Sequence, residues 1–234
     1  MSQCRLVILE MMCYNNFMSD LRAAQRAKAN CTAAPGAYDF GGIAGMSAAE
    51  KDTRKALCDS FKQLIQEVPF KAITIKMIAE RAGVIRPTFY NYFRDKQEVY
   101  EWILQDELIN VVAALIENNM GRESLKIIFT YFEKNRNIYK HLFRLNGQNS
   151  FKEILFYQLC NVYQTALQKH EVRGRQWPRL VSVENIVKFT SANVVSSLEL
   201  WLTDERNQEY SADEIYESCL YLLEHSVFDL LDDK

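Results

Sequence analysis

The chain is poor in the residues that break or staple structure. Its 234 residues include only eight glycines and four prolines, too few for a collagen-like or Pro/Gly-rich disordered chain. No apolar run approaches the roughly 18 residues that suggest a membrane-spanning helix. The short run Leu6 to Leu9 is cut by Glu10 and is no signal-peptide core, so no membrane partner is expected. The six cysteines, Cys4, Cys13, Cys31, Cys58, Cys160 and Cys219, form no CxxC pair and have no histidines at zinc spacing. They read as free thiols in a reducing, cytoplasmic compartment. Three histidines, His141, His170 and His225, are scattered, no nucleophile elbow occurs, and GGIAG at 41–45 lacks the lysine and preceding strand of a phosphate loop. Nothing here assembles an enzyme, and no cofactor or metal is implied.

What is present is helix. The content is 48% hydrophobic and 25% charged, ordinary for a globular protein with a real core. Ser47-Ala-Ala-Glu50 is a capping box, and Leu57, Phe61, Leu64, Ile65 and Val68 follow at three- and four-residue steps until Pro69. Thr74 caps a second short helix with Met77, Ile78 and Ala82, closed by Gly83. Asp95 with Glu98 opens a longer helix through Val99, Trp102, Ile103, Ile109 and Val112. Further helices are expected at about 122–135, 137–145, 149–171, 181–203 and 211–230, the last begun by the Ser211–Glu214 box. The expected class is all-α, with no alternating strand pattern. Residues 1–45, with glycines at 36, 41, 42 and 45, read as a poorly ordered N-terminal extension, and Met46 as a possible natural start.

Charge is unevenly placed. Residues 47–100 hold ten Lys/Arg against seven Asp/Glu, and residues 101–234 hold fourteen against twenty, within an overall net charge of -2. A basic first segment on a mildly acidic chain suits phosphate binding without general stickiness. Within it, TIKMIAERAGVIRPTFYNYF, Thr74 to Phe93, fits a helix-turn-helix. Ala79 is small where the helices cross, Gly83 makes the turn, Val84 and Phe89 face inward, and Pro87 sits in the first turn, where a missing N–H costs nothing. Phe89 and Phe93 read as core, whereas Tyr90 and Tyr92 can each bury a ring and expose a hydroxyl.

Through ITIKMIAERAGVIRPTFYNYFRDKQEVY, and most specifically TFYNYFRDK, the chain resembles the TetR-type bacterial transcriptional regulators over residues 47 to about 106. The resemblance implies about nine helices: a helix-turn-helix DNA-binding domain over 47–93, a linker helix over 95–118, and an effector-binding and dimerisation domain over 119–234. It implies DNA contacts from Thr74, Lys76, Arg86, Pro87, Thr88, Tyr90 and Asn91, with Tyr92 and Lys96 as phosphate clamps. Arg86 suits guanine and Asn91 adenine, while Pro87 and Thr88 suit a thymine methyl or phosphate. Ile85 departs from the pattern, because it stands where the family has a polar cap and can neither cap nor hydrogen-bond phosphate.

For the larger domain the resemblance implies a pocket for a small-molecule effector, for which Phe129, Phe132, Tyr139, Phe143, Tyr157 and Phe189 are candidates. It also implies a homodimer through the last two helices, for which Val187, Val194, Leu198, Trp201, Leu222 and Leu223 are candidates. The expected function is a ligand-responsive repressor, acting as a homodimer on a palindromic double-stranded DNA operator. An activator of the same fold and a helical adaptor that no longer binds DNA are the alternatives.

Overall fold

Nine helices and no strand run through the residues described by the computed structural model, which are 47–145, 150–169 and 182–225. The expected extension over residues 1–45, the Met46 start, and the ends of the expected 149–171 and 211–230 helices lie outside the described residues. Helix α1 (Ala48–Glu67) opens on the reciprocal box between Ser47 and Glu50. It ends at Val68, whose extended backbone is what a following proline enforces. Helix α2 (Ile75–Arg81) is capped by Thr74, whose hydroxyl accepts the Met77 N–H. Gly83 then turns the chain with φ 73°, a left-handed conformation that costs glycine little. The amides of Gly83 and Val84 close back on Glu80 and Ala79. Helix α3 (Arg86–Tyr90) follows, with Pro87 in its first turn and no side-chain cap from Ile85.

Packing fixes this unit. Ala79 is 1% exposed, and beside it the buried Ser60 hydroxyl donates to the Ile78 carbonyl at 2.8 Å, tying α1 to α2. Phe89 and Phe93 are buried, as their spacing predicts. The Arg54 guanidinium lies over the Tyr92, Phe93 and Trp102 rings at 5.9, 5.6 and 5.5 Å from their centroids.

Helix α4 begins at Lys96–Leu104, where the Asp95 side chain accepts from the Gln97 and Glu98 amides. Glu98 reaches back one residue beyond the cap, accepting the Arg94 N–H. The helix then passes through a π-helical turn, Gln105–Ile109, before resuming at Asn110–Glu117. That turn is absent from the sequence reading, since one inserted residue barely disturbs an apolar period. Such turns concentrate at functional sites.

The remaining helices are α5 (Gly121–Lys134), α6 (Arg136–Phe143), α7 (Phe151–Lys169), α8 (Val183–Thr203) and α9 (Ala212–Glu224), close to the expected boundaries except that α9 stops at Glu224, where His225 turns to extended backbone, and not at 230. Their core is aromatic: Phe132 and Tyr139 lie 4.6 Å apart between centroids, Phe143 and Phe151 4.9 Å, and Tyr139 and Phe151 5.2 Å. Tyr100 on α4 joins this cluster to the first domain, lying 5.9 Å from Phe151 and 6.3 Å from Phe61. The two domains therefore share packed rings.

Candidate DNA-reading surface

A short helix can present side chains to solvent in a fixed arrangement only if something else holds it in place. Here Phe89 is fully buried beneath α3, while Arg86, Pro87, Tyr90 and Asn91 are exposed and Thr88 is half-buried. The Tyr90 ring is fixed edge-on against Phe89 at 5.7 Å. Above it the Arg86 guanidinium lies 5.6 Å from the ring centroid, and its Nη2 donates to the tyrosine hydroxyl at 3.0 Å. One nitrogen of a five-donor fork is thus engaged and the side chain is pre-positioned, a favourable state for a residue of high rotamer entropy. On α2, Thr74 and Lys76 are exposed. Thr74 can still donate its hydroxyl hydrogen while capping, and Lys76 stands 3.6 Å from Glu80 in an exposed pair of the kind that contributes little.

Lys96 sits deeper than the sequence reading allows, whereas Tyr92 keeps within it. Tyr92 is half-buried against the core and beside Arg54. The Lys96 ammonium donates to the carbonyls of both Phe70 and Ile73 at 2.7 Å, and lies 4.3 Å from the Phe70 ring centroid. Burial lowers its pKa below the ordinary lysine value. Lys96 is therefore a strut for the 3₁₀ turn Phe70–Ala72, with two of its three donors spent inside the protein. A phosphate grip alone does not describe it.

Two other expectations need correction. Phe129, Phe132, Tyr139 and Phe143 are closed into the aromatic core, Tyr157 is half-buried, and Phe189 is 54% exposed. None of these six lines either cleft described below, because large rings at helical spacing pack on each other first. Likewise Val187, Val194, Leu198 and Trp201 are buried inside the protomer, so they cannot form an outward dimer face. Leu222 and Leu223 are half-buried.

Two clefts do occur among the described residues. One, of about 410 Å³, runs between α4 and α7 and is lined by Gln105, Ile109, Gln158, Asn161, Thr165 and others. The second, of about 400 Å³, runs along α8 and α9 past Leu200, Ile215, Ser218 and Leu222.

The sequence reading also misses a polar chain linking the domains. Lys62 on α1 pairs with Glu107 of the π-helical turn. The other Glu107 oxygen accepts the Tyr131 hydroxyl at 3.0 Å, and Tyr131 meets Tyr139 at 2.6 Å. Burial is the first cause raising the pKa of both tyrosines. Lys62 and Glu107 are 45 positions apart, and no local spacing rule marks such a pair.

Comparison with known proteins now bears on this geometry. Residues 59–103 match the family model for bacterial regulatory proteins of the tetR family, and residues 121–225 match one for a transcriptional regulator C-terminal region. The chain belongs to the TetR family. It has that family's fold, with an N-terminal helix-turn-helix domain and a C-terminal helical domain. The Lactococcus lactis subsp. lactis (strain IL1403) dhaKLM operon transcriptional activator DhaS is 24% identical over 116 residues, 45% of this chain and 62% of that protein. The chain thus spans less than two thirds of that relative's length. A TetR-family regulator from Syntrophomonas wolfei has the same fold, with TM-score 0.60 and 20% identity over 79% of this chain and 99% of that one. So does FadR of Thermus thermophilus, a repressor bound to lauroyl-CoA, with TM-score 0.55 and 20% identity over 77% and 96% of the two chains. No helix among the described residues is long and apolar enough to cross a membrane.

Proposed function

We propose that this TetR-family regulator is a ligand-responsive repressor that binds a palindromic operator as a homodimer, reading bases with α3. The observation that carries the reading is the Arg86–Tyr90 pair, exposed beside Pro87, Thr88 and Asn91 on a helix anchored by Phe89. Arg86 supplies a bidentate contact to guanine, Asn91 one to adenine, Thr74 contacts phosphate and Lys76 reaches toward the bases. A two-fold site needs a two-fold protein. The α8–α9 groove lined by Leu200, Ile215 and Leu222 is the face proposed to pair. The α4–α7 cleft is the proposed effector site, because its walls belong to the linker helix and to the larger domain. A ligand there changes DNA affinity only by as much as it prefers one arrangement of those walls.

The deciding experiment is selection of genomic fragments bound by the full chain, followed by binding titrations with Arg86→Ala. The expected result is loss of about 1–3 kcal/mol on the selected site with relaxed preference at one base pair. Equal loss on selected and random DNA sinks the base-reading role. Light scattering of the protein at micromolar concentration should give a dimer, and a monomer there refutes the pairing face. The activator reading is separated by placing the selected site before a reporter, since DhaS bears the name of an activator.

A further inference from the structure

We infer that Ile85 reads the C5-methyl group of a thymine in the major groove and sets specificity at that position of the operator. The inference rests on the DNA-reading role proposed for α3 and adds a residue to it. Ile85 is 70% exposed, the most of the large exposed hydrophobic residues among the described residues. It occupies the N-cap of α3 in extended backbone with φ -81° and ψ 152°, and makes no side-chain cap bond. A serine, threonine, aspartate or asparagine there would hold the helix end better, so the isoleucine forgoes local stabilisation while leaving its side chain in water.

A single exposed aliphatic residue is ordinary on a protein surface. Position makes this one different. Its neighbour Val84 is half-buried against the core, whereas Arg86, Pro87 and Tyr90 stand exposed on its other side. The first residues of a recognition helix are the ones that approach base edges. Of the groups there, amines, carbonyls and ring nitrogens would lose water to an isoleucine without gaining a hydrogen bond, and phosphate would gain nothing from it. The thymine methyl is the apolar group that the major groove offers. The contact buries aliphatic carbon on both partners and asks nothing of the helix amides.

The test uses the full chain and the site recovered by genomic selection. Each thymine of one half-site is replaced singly by deoxyuridine, which removes only the methyl group, and affinity is measured for the native protein and for Ile85→Ser. The native protein should lose about fourfold at one thymine, the worth of roughly one buried methyl group. Ile85→Ser should bind thymine and deoxyuridine there equally, while its response at the other thymines matches that of the native protein. Serine is a good N-cap, so the variant is expected to fold, and its melting curve verifies that. If the chain binds a selected site but no thymine shows a methyl dependence that Ile85→Ser abolishes, the inference is wrong and the DNA-reading role stands. If no fragment is selected over random DNA, both fall.

Discussion

The polar chain between the domains has a direction, and that direction makes Tyr131→Phe and Tyr139→Phe unequal. A carboxylate only accepts, so Tyr131 must donate its hydroxyl hydrogen to Glu107 at 3.0 Å. Tyr139 must then donate to the Tyr131 oxygen at 2.6 Å. Tyr139 is 2% exposed, so removing the Tyr131 oxygen strands a buried donor, a loss of about 1–3 kcal/mol in addition to the bond to Glu107. Removing the Tyr139 oxygen leaves Tyr131 still donating to Glu107, a loss of roughly 0.5–1.5 kcal/mol. The double variant should be no less stable than Tyr131→Phe alone, because the second change deletes the stranded group. Urea unfolding of the native protein and the three variants measures all of this, and each kcal/mol should move the melting temperature by about 2–4 °C in a chain of this size. Equal single losses, or a double variant whose loss is the sum of the two, would refute the donor order.

Gly83→Ala meets no atom within 4 Å but forces a Cβ at φ 73°. It should therefore destabilise by about 1–2 kcal/mol through backbone strain alone, read as a lower melting temperature with little change in helical circular dichroism. Lys96→Met keeps the aliphatic stem over Phe70 but removes the two bonds to the Phe70 and Ile73 carbonyls. A loss of about 2 kcal/mol in urea is expected, whereas unchanged stability would return Lys96 to a purely DNA-facing role. Acid should weaken the fold. Hydrogen bonds from Ser47 hold Glu50, and those from Ser211 hold Glu214, below the ordinary carboxylate value, while the Arg206 side chain takes Asp204 to about 2. The unfolded chain then binds more protons in this window, so this stability is present above about pH 4 and lost as pH falls through the folded-state values. Urea midpoints that do not fall between about pH 4 and pH 2 would contradict that sign.

Much of this protein is decided by short-range chemistry. The Ser47 and Ser211 boxes, the Thr74 and Asp95 caps, the glycine turn at Gly83 and the buried pair Phe89 and Phe93 all involve partners within a few residues. Spacing and side-chain type are enough for them, as they are for the TFYNYFRDK signature. The candidate reading surface came instead from the family resemblance, and the Arg86–Tyr90 pair on it, one helical turn apart, from the structure.

Tertiary structure decided whatever depends on which rings pack with which. Val187, Val194, Leu198 and Trp201 have the apolar pattern of either a dimer face or a protomer core, and only the neighbouring helices assign them to the core. Phe132, Tyr139 and Phe143 could equally have lined a cavity, but Phe151 packs against all three, and Phe129 packs against Trp201. The inward turn of Lys96 depends on Phe70 and Ile73, 26 and 23 positions away in sequence, and the Lys62–Glu107–Tyr131–Tyr139 chain on groups that meet only once the two domains are packed. Period and composition state how much apolar surface a helix must hide, but the face that covers it is set by long-range packing.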